Sequence, residues 1–484
     1  MTQTNEIYET VVGLEVHAQL LTRSKLFCGD SASFGGQPNT HSSPITLGHP
    51  GTLPVLNEKA IELAIKMGLA CHCEIERFNF FARKNYFYPD LPKGYQISQH
   101  TSPICKGGYV QISTAEGERK ISLNRIHLEE DAGKSLHDQD PENTCIDFNR
   151  AGVPLIEIVT EPVIRSGEEA HAFLTELRKL LRYLKVCDGN MEEGSMRCDA
   201  NVSIRKKGDS RLGTKVEIKN LNSIRNVRRA IEQESRDMME KAERGDKISQ
   251  QTKSFDAVSG ISFSLRSKEE ANDYRYFPDP DLPPFRVSDT FLERIRASIP
   301  ALPEQLMEKY VRQLKLPEYD ARVITDDKEI ADYFEDLIAM TSHYKAAANW
   351  LLGPVKSYLN EHHQSIAELG LSSSSLSQLI QLVEEGKISF SIASSRIFPV
   401  LIQEPDGNPE EIASRLNLIQ SSDGQQLDQW IREVLARMPD KVAEYKKGKK
   451  GLLGLFVGEV KKISKGKADL VLTNQILLDQ LEKK

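Results

Sequence analysis

A chain of 484 residues, 39% hydrophobic and 27% charged, has the composition of an ordinary soluble protein, and its length calls for two to four domains. No basic-then-apolar leader opens it, and its longest candidate apolar run, residues 451–458, falls far short of the roughly 18 residues of a membrane span, so a cytoplasmic location is expected. The net charge of −7 does not by itself point to a nucleic-acid partner, which leaves that question to how the charge is distributed.

Through residues 1–292 short stretches of alternating polarity recur between Gly- and Pro-containing turns. Tyr109–Ser113, Lys120–Asn124 and Asn201–Arg205 have the period of two expected of antiparallel strands. Two long helices interrupt them. Ser166 with Glu169 reads as a capping box, followed by an apolar stripe of Ala170, Phe173, Leu174, Leu177, Leu180, Leu181 and Leu184. The second helix spans about Asn222 to Arg244 and stops before Gly245. Strands with inserted helices make this an α+β domain.

After Pro283 and Pro284 the pattern becomes helical, with segments at Pro303–Leu314, Asp327–Met340, around Ala346–Leu352, and after a cap at Ser372–Ser375. A break near Pro405–Pro409 divides an all-helical domain, 293–405, from a small helical tail domain, 406–484. No repeat of 20 to 50 residues marks a solenoid. From Lys441 to Lys484 eleven lysines face five acidic residues, a net +6. Charge segregated in this way marks either a nucleic-acid-facing module or a solvated helical tail.

Acidic side chains recur in tight groups on the strand-like stretches. They are Glu15 with His17, the run His127–Asp131, Glu157 with Glu161, the segment Met191–Asn201, and Glu217 with Lys219. Residues two apart on a strand share a face, which sets Glu15 beside His17, Asp199 beside Asn201, and Glu217 beside Lys219. Carboxylates gathered in one cavity repel unless a cation joins them, and oxygen ligands with an occasional His suit Mg²⁺ beside a phosphate substrate. Glu157 lies within an apolar strand, Pro154–Val159, where a buried acid needs a cation or a raised pKa. Of the run His127–Asp131, Glu130 is expected at the metal. The reading is a metal- and phosphate-handling enzyme.

Two segments, Arg83–Asp90 and Asp273–Asp281, mix aromatics with charges, as a base-stacking surface or a packed domain edge would. Neither a Walker loop nor a dinucleotide fingerprint occurs. Seven scattered cysteines argue for reduced thiols; Cys71-His72-Cys73 has no facing ligand pair and reads as buried structural thiols. Cys198 lacks any motif that would make it a nucleophile. No amidase signature is present, so a reaction that used ammonia would need another polypeptide to make it.

Nine segments in order resemble the B subunit of the bacterial tRNA-dependent amidotransferase, GatCAB, along essentially the whole length. They are Val12–His17, Pro50–Asn57, Arg83–Asp90, Tyr95–Gln99, His127–Lys134, Asn149–Glu157, Met191–Asp199, Glu217–Asn222 and Asp273–Pro278. The resemblance implies a cradle-like catalytic domain, then a helical domain, then a tail that contacts tRNA. It implies that misacylated Glu-tRNA(Gln), Asp-tRNA(Asn) or both are phosphorylated on the side-chain carboxylate by ATP and Mg²⁺. Ammonia from an amidase A subunit then displaces the phosphate, with a small C subunit completing a heterotrimer. It further implies metal-site roles for Glu15, His17, Glu130, Glu157, Asp199 and Glu217, of which Glu15, His17, Glu130 and Glu157 are taken as catalytic. Lys84, Arg197 and Lys219 are taken as nucleotide-binding, Lys84 and Glu130 resemble channel-lining residues, and Lys447, Lys449 and Lys450 lie in the tail. Many members bind zinc through a Cys-x-Cys and a later Cys-Pro-x-Cys; here Cys28-Gly29-Asp30 and Ser43–Thr46 keep one thiol, and no structural zinc is expected. The alternative is a non-catalytic tRNA-binding scaffold, which leaves the buried Glu157 without a purpose.

Overall fold

The structure, a computed structural model, describes residues 7–137, 139–267, 274–405, 407–419, 424–464 and 468–482. The chain forms two compact units, Met1–Pro303 and Glu304–Lys484.

Among the described residues of the first unit a thirteen-stranded sheet forms, and ten strands make its spine. In chain order these are β1 (Tyr8–Gln19), β2 (Ala82–Asn85), β3 (Tyr95–Ser98), β4 (Gly117–Glu130) and β5 (Pro154–Thr160). The rest are β6 (Met196–Lys206), β7 (Val216–Leu221), β8 (Gln251–Asp256), β9 (Ile261–Ser267) and β10 (Arg275–Pro278). Across the sheet they run β9-β8-β7-β6-β1-β5-β4-β3-β2-β10. Pairing is antiparallel along the spine except between β7 and β8, which a helix joins as a parallel crossover.

Alternation in sequence becomes two faces in space. Leu14, Val16 and Ala18 of β1, Ile126 and Leu128 of β4, Ile156 and Ile158 of β5, and Ala200 and Val202 of β6 are buried in one core. Helices α1 (Glu58–Ala70), α2 (Gly167–Tyr183) and α3 (Ile224–Arg244) contribute apolar side chains to that core. Each buried Leu, Ile or Val there is worth about 1.5–3 kcal/mol relative to exposure. The residues between them, Glu15, His17 and Gln19 on β1 among them, are left on the polar face.

Ser166 caps α2 as the sequence suggests, its Oγ accepting from Glu169 N at 3.1 Å. The reciprocal arm differs: Glu169 accepts from Arg165 N at 2.7 Å and pairs with Arg119, so the box closes one residue early. The expected stripe is buried apart from half-buried Leu180. Helix α3 ends where Gly245 takes φ 75°, open only to glycine at low cost.

The described residues of the second unit are helical. Asp327 caps Lys328–Ile338 and Ser372 caps Ser373–Glu384. Pro303–Glu308 and Tyr344–Trp350 each continue as a wider π turn; in the second, Leu351–Val355, the extra width accommodates Pro354, which has no N–H to give. From residue 424 onward the helices close on a core of their own around Leu427, Ile431, Tyr445, Phe456 and Leu477.

Candidate active site

The polar face gathers charged groups because strand register lines them up. On β1, His17 stands opposite Glu157 of β5 on one side and Arg197 of β6 on the other, while Glu15 stands opposite Asp199. Glu157 in turn stands opposite His127 of β4, and Asn201 opposite Glu217 of β7. Neighbouring rungs of these ladders therefore bring ionisable groups together across five strands.

The tightest grouping is His17, Glu129 and Glu157, whose ligand atoms lie within 4.8 Å of one another. His17 Nε2 is 3.4 Å from Glu157 Oε2 and 3.6 Å from Glu129 Oε1. Burial disfavours the imidazolium, but the hydrogen bond to Glu157 and then the charges of Glu157 and Glu129 raise His17 to about 9. Burial likewise pushes Glu157 up, and His127, His17 and Arg125 together overcome it and hold the carboxyl well below its ordinary range. Glu157 is thus a buried carboxylate kept ionised by its neighbours.

His127 is fully buried at the back of this grouping. Arg125 Nε donates to His127 Nδ1 at 3.4 Å, which leaves the ring proton of the neutral form on Nε2. That Nε2 is 3.7 Å from both Glu129 Oε2 and Glu157 Oε2 and makes no hydrogen bond. His127 therefore faces the two carboxylates, while His17, protonated beside them, can offer Nε2 to a cation only as its proton leaves. Octahedral Mg²⁺ with ligands at about 2.1 Å needs neighbouring donors about 3 Å apart. The two distances from His17, 3.4 and 3.6 Å, are close to this, and all three donors lie within 4.8 Å, so the donor types suit such an ion after the carboxylates draw in.

Glu130, expected at the metal, lies outside this grouping. In β4 the apolar residues Ile126 and Leu128 fix the phase, so Arg125, His127 and Glu129 share the polar face and Glu130 does not. Its carboxylate instead pairs with Lys93 and accepts from Ile97 N at 2.9 Å. Glu129, its neighbour on the polar face, is the acid that joins His17 and Glu157.

The remaining residues form a second grouping. Glu15 accepts from Asn201 Nδ2 at 2.9 Å; burial first, then Glu157 and Asp199, pushes its carboxyl up. Lys219 Nζ is 2.6 Å from Asp199 Oδ2 and 3.0 Å from Glu217 Oε1. Arg197 is committed to Asp131, at 2.8 Å, a buried acid that also takes Gln19 Nε2 at 2.9 Å. Asp131, Arg125, His127 and Glu129 are the participants that sequence reasoning did not single out.

The two aromatic segments meet as β2 and β10, with Lys84 opposite Tyr276. Lys84 Nζ lies 4.8 Å from the Tyr274 ring centre and 5.6 Å from that of Tyr86. His100 stacks on Tyr276 at 5.3 Å and meets His127 edge-on at 5.7 Å, so this aromatic wall adjoins the first grouping. Asp273 lies outside the described residues. Cys198 is buried, its thiol pushed well above the ordinary range by burial, as befits a residue with no chemical part. Cys71, Cys73 and Cys105 are buried likewise.

Comparison with known proteins fits this picture. Residues 10–293 match the model of the GatB/GatE catalytic domain, and residues 332–481 that of the GatB domain. The chain belongs to the GatB family. It is 49% identical over 479 residues to the B subunit of the aspartyl/glutamyl-tRNA(Asn/Gln) amidotransferase of Caldicellulosiruptor bescii, covering 98% of this chain and 99% of that one. The corresponding subunits of Thermodesulfovibrio yellowstonii and Geotalea daltonii are 47% and 48% identical over the same shares, 98% and 99%. Among the described residues no helix is long and apolar enough to cross a membrane.

Proposed function

We propose that the polar face phosphorylates the side-chain carboxylate of glutamyl or aspartyl groups on misacylated tRNA, using ATP, and then presents the acyl phosphate to ammonia. The observation that carries this reading is the convergence of His17, Glu129 and Glu157, two of them buried acids, on one face of the sheet. A carboxylate is a poor electrophile because its leaving group would be oxide; phosphorylation replaces that with phosphate. A magnesium ion held by His17, Glu129 and Glu157 would neutralise charge on the transferring phosphoryl group.

The chain's own side chains do the rest. Arg125, 3.6 Å from Glu157 and hydrogen-bonded to His127, helps hold Glu157 ionised. Lys84 and Lys219 supply charges toward the nucleotide phosphates, and Glu15, Asp199 and Glu217 form a second cation-binding grouping. Arg197, fixed by Asp131, keeps a positive wall beside His17. The aromatic wall of Tyr86, Tyr274 and Tyr276 offers flat surfaces for a base. Ammonia comes from glutamine through an amidase A subunit, with a small C subunit in the same assembly, and Lys84 and Glu130 lie on the ammonia route. The tail segment, 406–484, meets tRNA through its lysines.

We assign no structural zinc. Cys28 Sγ is 3.4 Å from Thr46 Oγ1, which donates to Asp30 at 2.5 Å, and Ser43 N donates to the same carboxylate at 2.7 Å. Hydrogen bonds thus tie together the two stretches that a zinc would otherwise join.

In the assembled complex, Glu157→Gln should abolish ATP-dependent amidation while glutaminase activity persists; retained amidation overturns the reading. The scaffold alternative draws on the lysine-rich tail, but it gives no reason to hold Glu157 ionised in a buried site.

A further inference from the structure

Away from the catalytic row, a cavity of about 610 Å³ opens between the start of β1, the start of α2 and the middle of α3. Glu9 in its wall precedes Glu15 by six residues on β1, which is about 20 Å along a strand. The volume suits a small organic molecule. Gly167 lets α2 begin this close to α3, since a Cβ there would lie 2.8 Å from Arg228 O.

The wall of this cavity is short of negative charge. Ser166 and Gly167 bring the N-terminus of α2 to it, and Ser166 Oγ takes the Glu169 N–H at 3.1 Å. Gly167 N and Glu168 N have no acceptor among the described residues. Ser235 of α3, 7% exposed, lines the same cavity, and its hydroxyl has no hydrogen-bond partner. A ligand oxygen would supply one. The side chains of Lys207 and Arg236, also in the wall, make no hydrogen bond or ion pair among the described residues. The acids Glu9 and Glu232, by contrast, are held by Arg205 at 2.6 Å and Arg228 at 2.8 Å. Burial and then Arg205 hold the Arg165 guanidinium below its ordinary value, with Arg119 adding to them against Glu9. Glu116, in the turn before β4, is the one lining acid whose side chain has no partner among the described residues. Tyr8 and Met239 add an apolar wall on which the organic part of a ligand can lie.

We propose that this cavity binds a phosphate monoester, its phosphate held by the start of α2, Ser235, Arg165 and Arg236, with Lys207 beside them. A monoester suits the wall better than a carboxylate. Its three terminal oxygens and double charge can meet the helix start and the guanidinium groups at once. A free nucleotide and the 5′-phosphate of an RNA strand share this chemistry. The cavity shares no residue with either acidic grouping, and its occupancy is separate from the phosphoryl-transfer reading above.

The test is isothermal titration of the assembled complex with adenosine 5′-monophosphate and with a short RNA that carries or lacks a 5′-phosphate. Lys207 and Arg236 are exposed and lie outside the catalytic row, so the double variant Lys207→Gln, Arg236→Gln should fold and bind Mn²⁺ as the native chain does. It should bind the phosphate probe about tenfold more weakly. Glu116→Gln, which removes an opposing charge, should bind it about threefold more tightly. Both shifts seen with the mononucleotide alone identify a free nucleotide as the occupant. Both seen with the RNA, only when it carries its 5′-phosphate and at higher affinity than the mononucleotide, identify an RNA end. Affinities for both probes that are the same in the native chain and the two variants would overturn the inference, as would failure of the native complex to bind either probe. Neither result would touch the reading of His17, Glu129 and Glu157.

Discussion

The assignment of Glu129 rather than its neighbour to the cation site yields a sharp comparison. Glu129→Gln removes one of two carboxylates whose oxygens face His17, Glu129 Oε1 at 3.6 Å and Glu157 Oε2 at 3.4 Å. A unit charge interaction at about 4 Å is worth about 4 kcal/mol at the effective dielectric of a site near the surface. Water and salt reach this face, since His17 is about one-fifth exposed, so about half of that should survive, or about 2 kcal/mol. Mn²⁺ affinity should therefore fall about 30-fold. Glu130→Gln alters a carboxylate buried against Lys93 and Ile97 N, so it should lower thermal stability and change Mn²⁺ affinity by less than about twofold. Isothermal titration of the tightest ion in the assembled complex measures both. Equal losses in the two variants, or a larger loss in Glu130→Gln, would refute the strand-phase argument.

Three further outcomes follow from the same geometry. Burial pushes Asp131 up, but Arg197 and Arg150 outweigh it and hold the carboxyl below its ordinary value, so its stabilisation is full above the unfolded carboxylate range and is lost as pH falls through the lowered value. Asp131→Asn should cost about 3 kcal/mol at pH 7 by urea unfolding, and the gap to the native chain should narrow in acid; a gap constant down to pH 3 would contradict this. Lys253 Nζ lies 2.8 Å from both carboxylate oxygens of Glu234 in the core between β8 and α3, so Lys253→Met alone should cost about 3–5 kcal/mol, with Glu234→Leu added restoring most of it. In the tail, Lys449 and Lys450 already hold Glu444 and Glu482 at 3.0 and 3.4 Å, yet removing charge at Lys447, Lys449 and Lys450 should flatten the salt dependence of tRNA binding by about 0.7–0.9 for each phosphate no longer neutralised; an unchanged slope would show that these lysines do not touch phosphate.

Much of the site could be read from period-two alternation alone. Glu15 with His17, Asp199 with Asn201, and Glu217 with Lys219 share one face because the residues between them are apolar. The same rule, applied to Arg125 through Glu129, distinguishes Glu129 from Glu130, since Ile126 and Leu128 mark the core phase; two adjacent acids look alike only when that phase is ignored. Other features depend on tertiary pairing that no local pattern encodes. The interruption of the ladder between β6 and β7 beside Lys219, the Arg125 hydrogen bond that sets the His127 tautomer, and the pairing of Asp131 with Arg197 each join residues from different strands or fix a side-chain direction. Helix positions were legible from caps and stripes, whereas the π turns, including that at Pro354, answer to packing.

Formation of ADP from ATP by the assembled complex, with misacylated tRNA present and no glutamine or ammonia supplied, tests the central claim most directly. The account predicts ADP formation, with the γ-phosphoryl carried on the aminoacyl group, that depends on that group in the native complex and is lost with Glu157→Gln. ADP formed at the native rate by the Glu157→Gln complex would contradict it.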